Sequence, residues 1–248
     1  MKKQTIIITG SSTGIGKNIA SLFLERGYNV VINSANLKNL KSTYQELGAT
    51  DNLLMVQGDV SDSKVGPHLV AAAVERFGEV NVLVNNAGVF IPKPFLEVDE
   101  KNLDYFMNIN FKGTFFTSQA VIKEMLKQGS GSIINIGTVL VEHAIGGFPV
   151  SAPVASKGAI HALTRQLAAE FGKNNIRVNT IAPGVIRSTL QTKLGVKDPD
   201  SSAGLHLLNR IGETSDVAEL AWYLANSNFI TGATINIGGG HVAGHNVG

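Results

Sequence analysis

The chain has 248 residues, a formal net charge of +2 and no cysteine. That length suits one α/β domain over 1–248 with a sizeable core, and the missing thiols exclude disulfides, thiolate catalysis and cysteine-held metals and suit a reducing cytoplasm; no metal site is expected. Lys and Arg are scattered among Asp and Glu, so no basic face points to nucleic acid, and no run of about 18 apolar residues points to a membrane span.

The first apolar run, Ile6-Ile7-Ile8, follows Met1-Lys2-Lys3 but is broken by Gly10, too early for a signal-peptide core. Residues 5–9 therefore read as a strand, and residues 14–26 as the helix after it. The alternation continues with strand 29–33, helix 37–47, strand 53–57, helix 64–77, strand 80–84, helix 102–127, strand 132–136, helix 151–171, strand 177–181, helix 215–225 and strand 234–237. Most strands are β-branched and apolar on both faces, as a parallel sheet covered on both sides requires. The expected fold is a doubly wound Rossmann-type α/β unit with about seven parallel strands. Segment 188–212 is long, polar and irregular, which suits a substrate loop.

Between the first strand and helix lie Gly10, Gly14 and Gly16. Gly10 permits a tight turn, Gly14 lets backbone approach a pyrophosphate, and Gly16 lets the helix pack closely on the sheet. The helix N-terminus offers free N–H groups and partial positive charge to phosphates; Ser11, Ser12 and Thr13 add hydroxyls, and Gly14-Ile15-Gly16 opens the helix.

Further motifs follow in order: Asp59-Val60 after the third strand, Asn85-Asn86-Ala87-Gly88 after the fourth, Asn110 inside a helix, Ile134-Asn135-Ile136-Gly137-Thr138 at the fifth, Lys157 in the next helix, and Pro183-Gly184-Val185-Ile186 with Ser188 after the sixth. With the glycine loop they make the chain resemble a short-chain dehydrogenase/reductase over essentially its whole length. The resemblance implies an NAD(P)-dependent oxidoreductase acting on a small carbonyl, alcohol or conjugated enone. It implies cofactor contacts from Gly10, Ser12, Thr13, Gly14, Ile15, Gly16, Ser34, Asp59, Val60, Asn86, Ala87, Gly88, Lys157, Pro183, Gly184, Ile186 and Ser188. It implies catalytic roles for Asn110, Thr138 and Lys157, and a homo-oligomer, dimer or tetramer, built on helices 102–127 and 151–171.

Two positions depart from the family pattern. At the end of the second strand, an acidic residue would accept from the ribose hydroxyl of NAD, and an Arg would hold the 2′-phosphate of NADP. The chain has Asn33-Ser34-Ala35-Asn36 there, with Lys38 and Lys41 nearby. The absent acid removes repulsion and the absent base removes attraction; the balance leans to NADP, with NAD the alternative.

The second departure is chemical. Where the family carries a catalytic Tyr, four residues before Lys157, the chain has Pro153. Ser151 reads as the helix cap, which puts Pro153 in the tolerant first turn. Tyr28 and Tyr44 read as lying on the adenine side, and Tyr105 and Tyr223 fall on helices without motif support. A positioned general acid contributes roughly 10²–10⁴-fold in rate. His143, between Thr138 and Pro153, is one candidate replacement; Lys157, or a water held by Thr138 and Ser151, is another; a conjugated C=C substrate needing no strong acid is a third. His241 and His245 read as a packed or mobile terminus. Two other functions stay open: cofactor binding without turnover, as a sensor or partner subunit, and a non-redox lyase or isomerase on the same scaffold.

Overall fold

Alternate residues along the central strands enter two separate cores, one on each face of the sheet. Ile6, Ile8, Val30, Ile32, Val84 and Ile134 enter the first core, and Ile7, Val31, Leu83, Ile133 and Val178 the second. This period of two is the geometry of extended backbone. The computed structural model describes residues 3–189 and 198–244. Its strands are β1 (Thr5–Ile8), β2 (Asn29–Ser34), β3 (Leu53–Gln57), β4 (Val82–Asn85), β5 (Gly131–Ile136), β6 (Ile176–Pro183), β7 (Ile186–Arg187), β8 (Gly212–Glu213) and β9 (Thr234–Ile237).

Seven of these form one parallel sheet in the order β3-β2-β1-β4-β5-β6-β9, while β7 and β8 form a separate two-stranded pair. The fold is the doubly wound α/β sheet expected. Strand order reverses between β1 and β4, where the chain crosses back from the β3 edge through α3 (Val65–Phe77). In such sheets ligands bind outside the carboxyl ends of the strands at this reversal. Helices α1 (Gly14–Glu25) and the last helix, α7 (Thr214–Asn226), cover the first face through Ile19, Phe23, Val217 and Leu224. The second face is covered by α3 and α5 (Gly113–Gln128), with Ala168 of α6 (Ser151–Phe171) beside them. Among the described residues no helix is long and apolar enough to cross a membrane.

The departures from the sequence expectation are local. Strand β4 begins at Val82 because Gln128 takes both backbone groups of Val80, donating to its carbonyl at 2.9 Å and accepting from its N–H at 3.0 Å. The helix expected over 102–127 starts earlier and is interrupted. Asp99 and Asn102 form a reciprocal cap, so α4 begins at Glu100 and runs Glu100–Phe106. A π-helical turn, Met107–Lys112, then leads into α5. Ser151 is the first residue of α6 rather than its cap; Val150 precedes it, and Pro153 falls within the first turn. The segment expected to be irregular, 188–212, carries a 3₁₀ stretch (Pro199–Leu205) and the start of β8, and residues 190–197 lie outside the described residues. Helix α2 (Leu37–Glu46) is capped by the Asn36 side chain, which accepts from the Asn39 N–H at 2.9 Å.

The Asp99 cap gives a simple stability test. Replacing a capping Asp by Ala costs about 1 kcal/mol, so Asp99→Ala should lower the urea unfolding midpoint by that equivalent with an unchanged slope.

Candidate functional site

The glycine loop and the loop after β4 are built as one piece. Gly10 has φ +62°, and a Cβ there would lie 2.6 Å from the Ala87 Cα. Asn86 donates from Nδ2 to the carbonyls of Thr9 and Gly10 at 3.0 and 2.8 Å, while Thr9 Oγ1 accepts from the N–H groups of Asn86 and Ala87. A Cβ on Gly16 would meet the Gly10 carbonyl at 2.7 Å, so α1 can sit this close to the turn only with glycine there. Gly14, at φ +57°, faces Ser188: a Cβ on Gly14 would lie 3.5 Å from the Ser188 Cβ. Thr13 precedes α1 without a side-chain cap bond, and Ile15 packs against the first core. Among the described residues no side chain caps the helix N-terminus, which suits a pyrophosphate.

The end of β2 carries neither acid nor base. Ser12 Oγ donates to Ser34 Oγ at 2.9 Å, and Ser34 Oγ accepts from the Asn36 N–H at 3.2 Å. Asn33 is turned inward, donating to the carbonyls of Val56 and Gly58. Asp59 is exposed, and its Oδ1 accepts from the Ser61 backbone and hydroxyl. Val60 is buried against Gly113, where a Cβ would lie 2.7 Å from its methyl. Val60 thus joins the β3 loop to α5.

At the carboxyl end of β5 the reaction-centre candidates converge. Lys157 Nζ is buried and donates to the Ile136 carbonyl at 2.6 Å. Burial lowers its ammonium pKa to about 8. A Cβ on Gly88 would lie 3.2 Å from both Lys157 Nζ and Asn110 Oδ1, so Gly88 leaves open the space between them. Asn110 sits in the π-helical turn, fully buried. Its side chain exchanges hydrogen bonds with both backbone groups of Val89, at 2.8 and 2.9 Å, and donates to Ser156 Oγ at 2.8 Å. Ser156 in turn donates to the Pro153 carbonyl at 2.7 Å. Thr138 Oγ1 accepts from the Leu140 N–H at 3.3 Å, capping a 3₁₀ turn, Val139–Val141. One helical turn beyond Lys157, His161 is buried against Gly137, and burial lowers its pKa to about 4. It adds no second cation behind Lys157 near neutral pH.

The tyrosines stand apart from this centre. Tyr28, expected on the adenine side, precedes β2 at the opposite end of the sheet and donates to Asn226 at the end of α7 at 3.0 Å. Tyr44 packs against the first core, and Tyr105 and Tyr223 are exposed. His143 is half-buried, its ring 5.3 Å centroid to centroid from His241. His241 is buried rather than part of a loose tail, and His245 lies outside the described residues. Pro183 ends β6, with Gly184 and Ile186 following: the Gly184 N–H donates to the Ile237 carbonyl, and Ile186 is buried. His206 was not expected here. It lies against Gly184 and accepts from the Val185 N–H at 3.2 Å. The glycines at 184, 238 and 239, which leave room for these rings, were the available sequence signal.

Positive-φ glycine turns, a helix N-terminus without a side-chain cap and a buried ammonium beside an open glycine suit a dinucleotide. A family model for short chain dehydrogenase matches residues 4–198. The chain belongs to the short-chain dehydrogenase family. It is an NAD(P)-dependent oxidoreductase. It is 38% identical to a 2-dehydro-3-deoxy-D-gluconate 5-dehydrogenase of Dickeya dadantii, covering 98% of this chain and 97% of that one. It is 36% identical to an L-rhamnose-1-dehydrogenase of Scheffersomyces stipitis, covering 96% and 95%. It is 33% identical to the 3-oxoacyl-(acyl-carrier-protein) reductase FabG of Thermotoga maritima, covering 98% and 99%. Among solved structures, ElxO with NADP bound superposes with a TM-score of 0.90 at 32% identity, covering 98% of this chain and all of that one.

The packing at Gly10 makes a direct prediction for this short-chain dehydrogenase. Left-handed backbone costs a non-glycine residue about 1–2 kcal/mol, and the approach to Ala87 adds a clash. Gly10→Ala should lower the thermal unfolding midpoint and weaken dinucleotide binding, read by calorimetry and by cofactor fluorescence.

Proposed function

We propose that this short-chain dehydrogenase moves a hydride between NADP(H) and a small carbonyl, alcohol or conjugated enone, with Lys157 rather than a phenol handling the proton. One observation carries the reading. The buried Lys157 ammonium reaches the end of β5 beside Gly88, while Pro153 offers no proton at all. The relatives' names, dehydrogenases of a sugar and of a sugar acid and a 3-oxoacyl reductase, support alcohol–carbonyl interconversion.

A bound nicotinamide supplies the hydride. The chain's own residues supply the rest of the site. Gly10, Ser12, Thr13, Gly14, Ile15 and Gly16 hold the diphosphate; Asn86, Ala87 and Gly88 line the path; Asp59 and Val60 border the adenine; Pro183, Gly184, Ile186 and Ser188 bear on the nicotinamide. Thr138 orients the substrate oxygen, and Lys157 Nζ holds the proton for it. Asn110 fixes Val89 and so the loop opposite Lys157. His143 borders the substrate side and is the second candidate for the proton. Hydrogen bonds from these groups polarise a carbonyl, and a conjugated enone asks least of the acid. Segment 188–212, of which 190–197 lie outside the described residues, is the proposed substrate loop of one domain, 1–248. The absent acid at Ser34 favours NADP over NAD, and NADP is the nucleotide bound by ElxO. The chain works in the cytoplasm as a homo-oligomer, and the half-exposed Leu103, Tyr105, Phe115 and Leu126 of α4 and α5 are suited to a subunit contact.

Four measurements test this. NADPH consumption with ketones and enones should be measurable in the parent, and Lys157→Met should reduce it roughly 10²–10⁴-fold. The reductive rate should be highest where Lys157 is protonated and fall as pH rises through about 8; a profile flat across that range contradicts the role of Lys157. Pro153→Tyr should raise ketone reduction by roughly 10²-fold or more, and no gain would mean that the site does not accept the phenol. Ser34→Asp should weaken NADPH binding against NADH by roughly tenfold, through repulsion of the 2′-phosphate.

A further inference from the structure

Three histidines from separate parts of the chain converge behind the Pro183–Ile186 turn. His143 comes from the loop after Thr138, His206 from the loop before β8, and His241 from the tail after β9. The His143 and His241 rings lie 5.3 Å apart nearly perpendicular, and the His206 and His241 rings 5.8 Å apart. His206 and His241 are almost fully buried. Glycines make their room: a Cβ on Gly184 would lie 2.8 Å from His206 Nε2, one on Gly239 3.2 Å from the His206 Cβ, and one on Gly238 3.4 Å from the His241 Cβ. The His241 Nδ1 lies 3.1 Å from the Leu205 carbonyl, which ties the tail to the His206 loop.

Within this cluster one contact reaches the cofactor turn. The Val185 N–H donates to His206 Nε2 at 3.2 Å. Val185 stands between Gly184 and Ile186, so the imidazole holds the backbone of the turn from behind. The Val185 carbonyl is held from the other side by the Gly212 N–H at 2.9 Å.

We propose that His206 is a positioning residue that fixes the 183–186 turn for the nicotinamide cofactor through its acceptor nitrogen, and that protonating it releases the turn and weakens cofactor binding. This rests on the reading that the turn bears on the nicotinamide. An imidazole accepts a hydrogen bond only while that nitrogen carries no proton. Once protonated, His206 Nε2 and the Val185 N–H are both donors and repel.

The surroundings favour the neutral ring near pH 7. Burial and then the neighbouring His241 lower the His206 pKa, with Arg210 acting in the same direction, while the backbone carbonyls of Ala203 and Ser202 oppose them. His143 faces His241 from the third loop. From α7, Asp216 and Glu219 line the ≈ 300 Å³ cavity beside His206, Asp216 paired with Arg210 and Glu219 with Arg26. On the turn side, Arg187 is paired with Asp200 and Glu213. The neighbouring carboxylates are thus matched with arginines. Acidification below the usual imidazole range therefore charges His206 beside two other histidines.

The test is NADPH binding to the full chain, read by cofactor fluorescence from about pH 8 to about pH 5. His206→Gln places an amide oxygen near the Nε2 position and does not titrate; His206→Leu removes the acceptor. One hydrogen bond sets the expected scale at roughly three- to tenfold in Kd. At neutral pH, His206→Gln should bind like the parent and His206→Leu should bind more weakly by that factor. On acidification the parent should lose that factor relative to His206→Gln, because titration of the cofactor's own phosphate is common to both and cancels. Coincident pH profiles for the parent and His206→Gln overturn the proposal. If His206→Leu does not fold, the parent–Gln comparison still decides. No NADPH binding by the parent at neutral pH would instead contradict the cofactor reading, and this inference with it.

Discussion

A buried ammonium on a strand-end carbonyl is the interaction around which the site is arranged. Lys157 is carried by α6 into the carboxyl end of β5, where its Nζ donates to the Ile136 carbonyl. No carboxylate contributes to its pKa shift; desolvation is the cause. A cation held this way gives up a proton more readily than an exposed lysine. The neighbouring features keep that space open or keep it rigid. Gly88 leaves room beside Nζ, Asn110 and Ser156 brace the loop and the helix start, and His161 stays neutral behind it.

Pro153 is accommodated with little disturbance to the scaffold. It lies in the first turn of α6, where a missing N–H costs least. Its carbonyl still accepts from Ser156, and Lys157 keeps its register one turn on. The proline thus leaves the helix backbone around Lys157 in place. Under the proposed reading the demand for acid falls on Lys157 or on the substrate, and an enone, whose hydride acceptor is carbon, makes the smaller demand.

Much of this was legible in the chain because it is written in backbone necessity. Gly10 and Gly14 lie at positive φ, Gly16 and Gly88 where a Cβ would collide or crowd, and each stood out by residue type and order. The sheet was legible because both faces of its strands are apolar. Three features were not legible, and each depends on contacts distant in sequence. Gln128 ends the ladder at Val80 from across the fold. The π-helical turn at Asn110 satisfies that side chain by pairing it with Val89 and Ser156, which helix periodicity does not report. His241 reads as a tail residue and His206 falls in the irregular segment, yet both are packed behind the 183–186 turn through glycines that only the folded chain brings together. The start of α6 differs by one residue because Ser151 is a good capping type, but the helix begins on it and Val150 stands at the cap.

The central claim is that burial prepares Lys157 to release a proton near neutral pH. The most direct measurement is an NMR titration of lysine side chains labelled at Cε, with Lys157 assigned by its loss in Lys157→Met. Lys157 should titrate at about 8. A Lys157 signal titrating at the ordinary value of a lysine side chain, ~10.4, would contradict the role of burial.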